Sequence, residues 1–148
     1  CAGTGLAPFR GFIQDRALRA QAEGATPARA LLFFGCRAPD TDFLYHTELA
    51  TWAEDANLDL RPVFSTAPGD GRKFVQDRLW SDRADVVELV KQGATVYVCG
   101  DGEYMAPQVR DTCVRIYREA TGASAADAGA WMDEVERTHG RYVADIFT

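Results

Sequence analysis

Glycines, hydroxyls and basic side chains placed beside runs of apolar residues are the features of this sequence best suited to chemistry. Cys1 to Leu6 read C-A-G-T-G-L. Gly3 and Gly5 allow a backbone to approach a ligand closely, Thr4 adds a hydroxyl donor, and the N–H groups of a helix start favour an anion. Glycine turns before helices also serve packing alone, and the turn by itself leaves both readings open. It lacks the Gly-Lys-Ser/Thr of a Walker loop. It also departs from the dinucleotide fingerprint, whose third glycine comes earlier than Gly11 and whose next strand carries an acid. Instead a cation, Arg37, follows Gly35 and Cys36, and Ser65 is followed by Arg72 and Lys73. Donors and cations just beyond strand ends are where a parallel sheet binds ligands.

Strands and helices must hold these groups. Pro8 suits the first position of a helix, where its missing N–H is not needed. From Pro8 to about Ala22, Phe9, Phe12, Ile13 and Ala17 recur at helical spacing, and Gly24 is a stop. Arg29 to Gly35 is a short apolar run of the kind a strand covered on both faces requires. A second helix fits Leu44 to Ala56, with Leu49, Trp52 and Ala53 on one side, and Leu58 to Phe64 is a second strand. After the loop Thr66 to Arg72 come helical segments at Phe74 to Trp80 and Ala84 to Gln92. Thr95 to Cys99 is a third strand, then helices lie near Ala106 to Thr121 and Ser124 to His139, before the ending R-Y-V-A-D-I-F-T. Strands alternating with helices predict right-handed crossovers and a parallel sheet with helices on both faces. A glycine turn of this kind normally follows a strand, so the expectation is a fold lacking its first strand.

Composition bounds the function classes. At 148 residues the chain has the length of one domain and can bury roughly 70% of its unfolded surface. An apolar fraction of 47% and a charged fraction of 26% exclude disorder. The net charge of −6 argues against a general nucleic-acid partner, and no run approaches the length of a membrane span. Cys1, Cys36, Cys99 and Cys113 form no C-x-x-C pair, which predicts no metal site and reduced thiols in a cytoplasmic protein. His46 and His139 lack a third ligand at zinc spacing, and Trp52, Trp80 and Trp131 lie in helical patterns as core residues.

The string G-T-G-L-A-P-F-R-G-F (Gly3 to Phe12), with F-G-C-R (Phe34 to Arg37) and D-F-L-Y (Asp42 to Tyr45), resembles one family along the whole chain. Y-V-C-G-D (Tyr97 to Asp101), M-A-P-Q-V (Met105 to Val109) and R-Y-V-A-D-I-F (Arg141 to Phe147) carry the same resemblance. It is to the NADPH-binding subdomain of the diflavin reductases, within the ferredoxin–NADP reductase superfamily and nearest to the fused bacterial P-450 type. The resemblance implies a ferredoxin reductase-type NADP-binding fold over residues 1–148, truncated at its amino end, with FAD- and FMN-binding domains elsewhere on the same chain. It implies hydride transfer from NADPH to FAD, then electron transfer through FMN to a haem monooxygenase or similar acceptor.

The resemblance also implies residue roles. Gly3, Thr4 and Gly5 would cradle the pyrophosphate. Arg37 would add a cation, and Asp101 and Gln108 would line the cofactor site. Ser65 stands where the family places a serine on the 2′-phosphate; Thr66 replaces the arginine that usually follows. Arg72, Lys73, Phe74 and Gln76 match a segment in which Phe74 lacks the usual tyrosine hydroxyl. Cys99 and Asp145 match residues beside the nicotinamide, where a carboxylate can stabilise the positive charge that develops as hydride leaves. Phe147 replaces a tryptophan stacked on the flavin, with less stacking area. A single-flavin ferredoxin or flavohaemoprotein-type reductase, and a non-catalytic nucleotide-sensing module, are the competing functions. The two long helices after Met105 favour the diflavin type.

Overall fold

In the computed structural model, which describes residues 1–147, the chain divides into two compact units, Cys1–Val75 and Gln76–Thr148. Both are α/β, and in both the strands pair in parallel with helices between them.

In the first unit, residues 1 and 2 run beside the first strand. Cys1 N donates to Phe33 O at 2.9 Å, Gly35 N–H donates to Cys1 O at 2.9 Å, and Ala2 bridges to Gly35. A 3-10 turn over Gly3–Leu6 feeds directly into α1 (Ala7–Glu23), which has Pro8 in its opening turn and ends at Gly24 in the left-handed region, φ 63°. Strand β1 (Ala30–Cys36) and strand β2 (Leu58–Phe64) pair from Ala30↔Leu58 to Cys36↔Phe64. Between them lie the short α2 (Pro39–Asp42) and α3 (His46–Ala53). That last helix starts later than the apolar pattern suggests because Tyr45 adopts φ 54°, outside the helical range.

Burial along β1 alternates, with Leu32, Phe34 and Cys36 inward, so the run is covered fully on one face only. Leu6, Ile13 and Ala17 of the amino-terminal segment and Leu49 of α3 meet that face, and Phe34 is wholly buried at its centre. Phe43 lies against both Phe34 and Phe64, with ring centroids 5.5 and 5.8 Å away. Arg10 fastens α1 to α3: it ion-pairs with Glu48 and lies over the rings of Tyr45 and Trp52 at 5.2 and 5.3 Å.

The second unit contains most of α4 (Val75–Ser81), then α5 (Arg83–Lys91), β3 (Val96–Asp101), α6 (Met105–Thr121), α7 (Ala125–Arg137) and β4 (Tyr142–Phe147). Strands β3 and β4 run parallel, from Val96↔Tyr142 to Asp101↔Phe147. Met105, Val109, Cys113 and Ile116 recur at helical spacing and bury one stripe of α6. Arg110 on α6 reaches Asp133 (2.6 Å) and Glu136 (3.3 Å) on α7, and Tyr117 stacks on Trp131 at 3.9 Å. Trp131 is thus an interhelical contact. Trp80 lies beneath Arg83 and Arg115, 4.4 and 3.4 Å from its ring centroid.

Sequence patterning does not reveal β4. Tyr142 is its one buried residue, so it lacks the alternation that marks a half-buried strand. Its pairing with β3 is instead secured by Val96 N–H to Arg141 O at 2.8 Å and by the Arg141 guanidinium on the Val90 and Ala94 carbonyls. Among the described residues no helix is long and apolar enough to cross a membrane.

Phe34→Ala would leave a cavity at the centre of the first unit. It should cost about 3–5 kcal/mol of unfolding free energy in urea titrations followed by circular dichroism. A loss under about 1 kcal/mol would contradict this packing.

Candidate functional site

The carboxyl ends of β1 and β2 gather the polar groups of the first unit. Backbone bonds tie the two chain segments together just past the last strand residues: Ser65 N–H donates to Cys36 O at 2.9 Å and Thr66 N–H to Arg37 O at 3.0 Å. Thr66 Oγ1 donates to the same Arg37 carbonyl at 2.6 Å. These bonds hold Ser65 beside the loop that carries Arg37. They also occupy the hydroxyl of Thr66 with backbone, which separates its role from that of Ser65. The glycine turn begins at the same end of β1, through the Ala2–Gly35 bridge.

Gly3 adopts φ 54°, a conformation that disfavours side chains, and a Cβ placed there meets nothing within 4 Å. Open space above exposed backbone next to a helix start fits an anionic ligand. Gly5, by contrast, is buried, and its N–H closes the turn onto Ala2 O at 3.0 Å.

Asp42 organises the loop after β1. Its carboxylate accepts from Arg37 N, Ala38 N and Arg37 Nε at distances between 2.9 and 3.1 Å. The Ala38 backbone bond, followed by the bonds from Arg37, holds its pKa below the usual carboxylate range despite some desolvation. Cys36 is buried beside that negative charge; burial chiefly, then Asp42, pushes its thiol up to about 11. Cys36 is therefore a protonated packing residue at neutral pH.

Beyond β2 the chain turns through a 3-10 segment, Gly69–Gly71, closed by Arg72 N–H to Gly69 O at 3.1 Å. Arg72 ion-pairs with Asp70 at 2.5 Å, and Lys73 lies over the Phe74 ring at 5.3 Å. Phe74 thus gives the neighbouring ammonium an aromatic face while offering no hydroxyl. Gly3, Thr4, Gly5, Arg37, Ser65, Thr66, Arg72, Lys73 and Phe74 all belong to this unit. Sequence inspection misses Asp42 and Asp70, although each lies within five residues of the cation it binds.

The remaining expected site residues belong to the second unit. Cys99 on β3 and Asp145 on β4 are register partners. Cys99 is buried and Asp145 exposed. Burial raises the Cys99 thiol above its ordinary value, and the Asp145 charge raises it further. The thiol therefore keeps its proton at neutral pH and cannot act as a thiolate nucleophile.

Two positions on, Asp101 and Phe147 are also register partners, and Phe147 is exposed. Asp101 Oδ2 accepts from Tyr104 N at 2.6 Å and Met105 N at 2.9 Å, capping α6. Bonds from Met105, then Tyr104, lower its pKa, so this cap is complete at neutral pH and is lost only as acid protonates the folded carboxyl. Gln76 Nε2 donates to Gln108 Oε1 at 2.5 Å, tying α4 to α6. Asp101, Gln76 and Gln108 thus have evident structural work. Among the described residues no cluster of His, Cys, Asp or Glu could hold a metal ion.

Residues 1–111 match the oxidoreductase NAD-binding domain family. The chain is 41% identical over 145 residues to a bifunctional cytochrome P450/NADPH–P450 reductase of Bacillus cereus, covering 98% of this chain and 13% of that protein. It is 44% identical over 149 residues to a self-sufficient cytochrome P450 monooxygenase of Phanerodontia chrysosporium, covering 99% and 14%. A bifunctional cytochrome P450/NADPH–P450 reductase of Fusarium oxysporum is 44% identical over 153 residues, again covering 99% and 14%. The chain therefore spans only a small part of the length of these relatives.

The register of β3 and β4 makes the Cys99 thiol a probe of the Asp145 charge. Alkylation of Cys99 by iodoacetamide, followed by peptide mass spectrometry, should remain slow at pH 8 and accelerate above pH 9. Asp145→Asn should shift this profile to lower pH, because removing a negative charge favours the thiolate. An unshifted profile would contradict electrostatic contact between the two groups.

Proposed function

This chain belongs to the oxidoreductase NAD-binding domain family, and from that membership we propose that it is the NADPH-binding part of a flavoprotein reductase. FAD- and FMN-binding domains on the same polypeptide would complete the enzyme, and a haem monooxygenase would receive its electrons. The observation that carries this reading is identity of 41–44% along nearly the whole chain to relatives whose names couple P450 to its NADPH reductase or to self-sufficiency. The polar groups gathered after β1 and β2 are of the kind that a phosphorylated nucleotide requires.

In this reading NADPH supplies a hydride and FAD accepts it; the protein contributes binding, orientation and charge. Gly3 and Thr4 hold the pyrophosphate by backbone approach and a hydroxyl donor, and the buried Gly5 closes the turn that presents them. Arg37 brings positive charge to the same end of β1. Ser65, Arg72 and Lys73 receive the 2′-phosphate. Cys99 keeps its proton and presents a small, weakly polar surface, while Asp145 contributes negative charge where a nicotinamide becomes cationic. Phe147 offers a flat face to a flavin. The competing single-flavin and nucleotide-sensing functions draw no support from the names of these relatives.

Thr66 and Phe74 each lack a donor to the 2′-phosphate. A hydrogen bond to a charged group contributes about 1.5–3 kcal/mol, roughly ten- to a hundredfold in affinity. With Ser65, Arg72 and Lys73 retained, the full-length protein should still prefer NADPH over NADH in kcat/KM, by less than the family norm, and Thr66→Arg should widen that preference about tenfold. Equal efficiency with both nucleotides would refute the assignment of Ser65, Arg72 and Lys73.

A further inference from the structure

The Arg72 guanidinium is already engaged. Arg72 Nη2 meets Asp70 Oδ2 at 2.5 Å, across a turn whose geometry keeps the two side chains together. Asp70 adopts φ 54° and Gly71 φ 74°, and Arg72 N–H closes onto Gly69 O at 3.1 Å. Aspartate tolerates the left-handed region better than most side chains, so the turn keeps its shape with a carboxylate at this position. The Arg72 side chain is 27% exposed, whereas that of Asp70 is 83% exposed. The cation is thus held against the protein, and the anion stands on the solvent side of it.

From Ser65 to Phe74 the segment carries two cations, Arg72 and Lys73, and one anion, Asp70. We propose that Asp70 is a specificity-determining counter-charge, which lowers the affinity of this loop for a 2′-phosphate by competing for Arg72. The inference rests on the assignment of the 2′-phosphate to Ser65, Arg72 and Lys73. A phosphate monoester carries nearly two negative charges at neutral pH. If it displaces Asp70 from the guanidinium, the existing ion pair is lost. If it uses other guanidinium donors, it faces an adjacent carboxylate instead. Both routes weaken the phosphorylated ligand, and neither touches one that lacks the phosphate. Asp70 thus acts in the same direction as the missing donors at Thr66 and Phe74.

The test is calorimetric titration of the full-length oxidised protein with adenosine 2′,5′-bisphosphate and with 5′-AMP. These probes differ only in the 2′-phosphate, and their binding is independent of turnover. Asp70→Asn should tighten the bisphosphate about two- to fivefold, the range of an exposed ion pair, and leave 5′-AMP unchanged. Asp70→Ser should do the same, which separates loss of charge from a local fault in the turn. The gain should disappear in an Arg72→Ala background. It should also shrink between about 0.1 and 1 M salt, over which the screening length falls from about 10 to 3 Å.

If Asp70→Asn leaves the bisphosphate unchanged or weaker while Arg72→Ala weakens it, the counter-charge is refuted and the phosphate site stands. Equal tightening of both probes would also refute it, since the effect would not concern the 2′-phosphate. If Arg72→Ala and Lys73→Ala both bind the bisphosphate as the parent does, the phosphate assignment itself fails and the proposal falls with it.

Discussion

Backbone bonding between the two chain segments that leave β1 and β2 is the constraint on which the polar end of the first unit depends. Strand pairing aligns Cys36 with Phe64, and the next two bonds, Ser65 to Cys36 and Thr66 to Arg37, carry that alignment into the loops. Without them Arg37 and Ser65 would sit on independent segments. With them, backbone holds a hydroxyl-bearing residue and a cation on neighbouring segments. Asp42 adds the local restraint, fixing Arg37 through both its backbone and its side chain. Phe34, Phe43 and Phe64 form the apolar support beneath these loops.

The second unit uses the same device for a different purpose. Register between β3 and β4 places Cys99 opposite Asp145 and Asp101 opposite Phe147. A one-residue slip would move all four from their positions, since strand side chains alternate between faces. Arg141 guards against that slip from the entrance of β4, through bonds to Val90, Ala94 and Val96. Burial and the Asp145 charge together keep the Cys99 thiol neutral.

Elements with strong periodicity were legible from sequence. Ile13 and Ala17 face the core as their helical spacing implies, and the apolar stripe of α6 begins one residue from its expected start. Strand β4 was illegible because pairing, with almost no burial, defines it. The apolar pattern starts α3 too early because nothing in L-Y-H announces a left-handed tyrosine. Among the described residues the strands pair as β1–β2 and β3–β4, in parallel as the alternation of strands and helices implies. Cations beyond strand ends were visible as residue types, but their partners were not. Asp42 and Asp70 look like ordinary loop acids until distances show which guanidinium each one holds. Thr66 stands where the resemblance implies an arginine, and only the structure shows that its hydroxyl has a backbone acceptor.

A crystal structure of the full-length protein with NADP⁺ tests the central claim most directly. The account predicts pyrophosphate density against the Gly3–Gly5 backbone, and 2′-phosphate oxygens within hydrogen-bond distance of Ser65, Arg72 and Lys73. A nucleotide bound away from the ends of β1 and β2, or one whose 2′-phosphate contacts none of those three side chains, would contradict it.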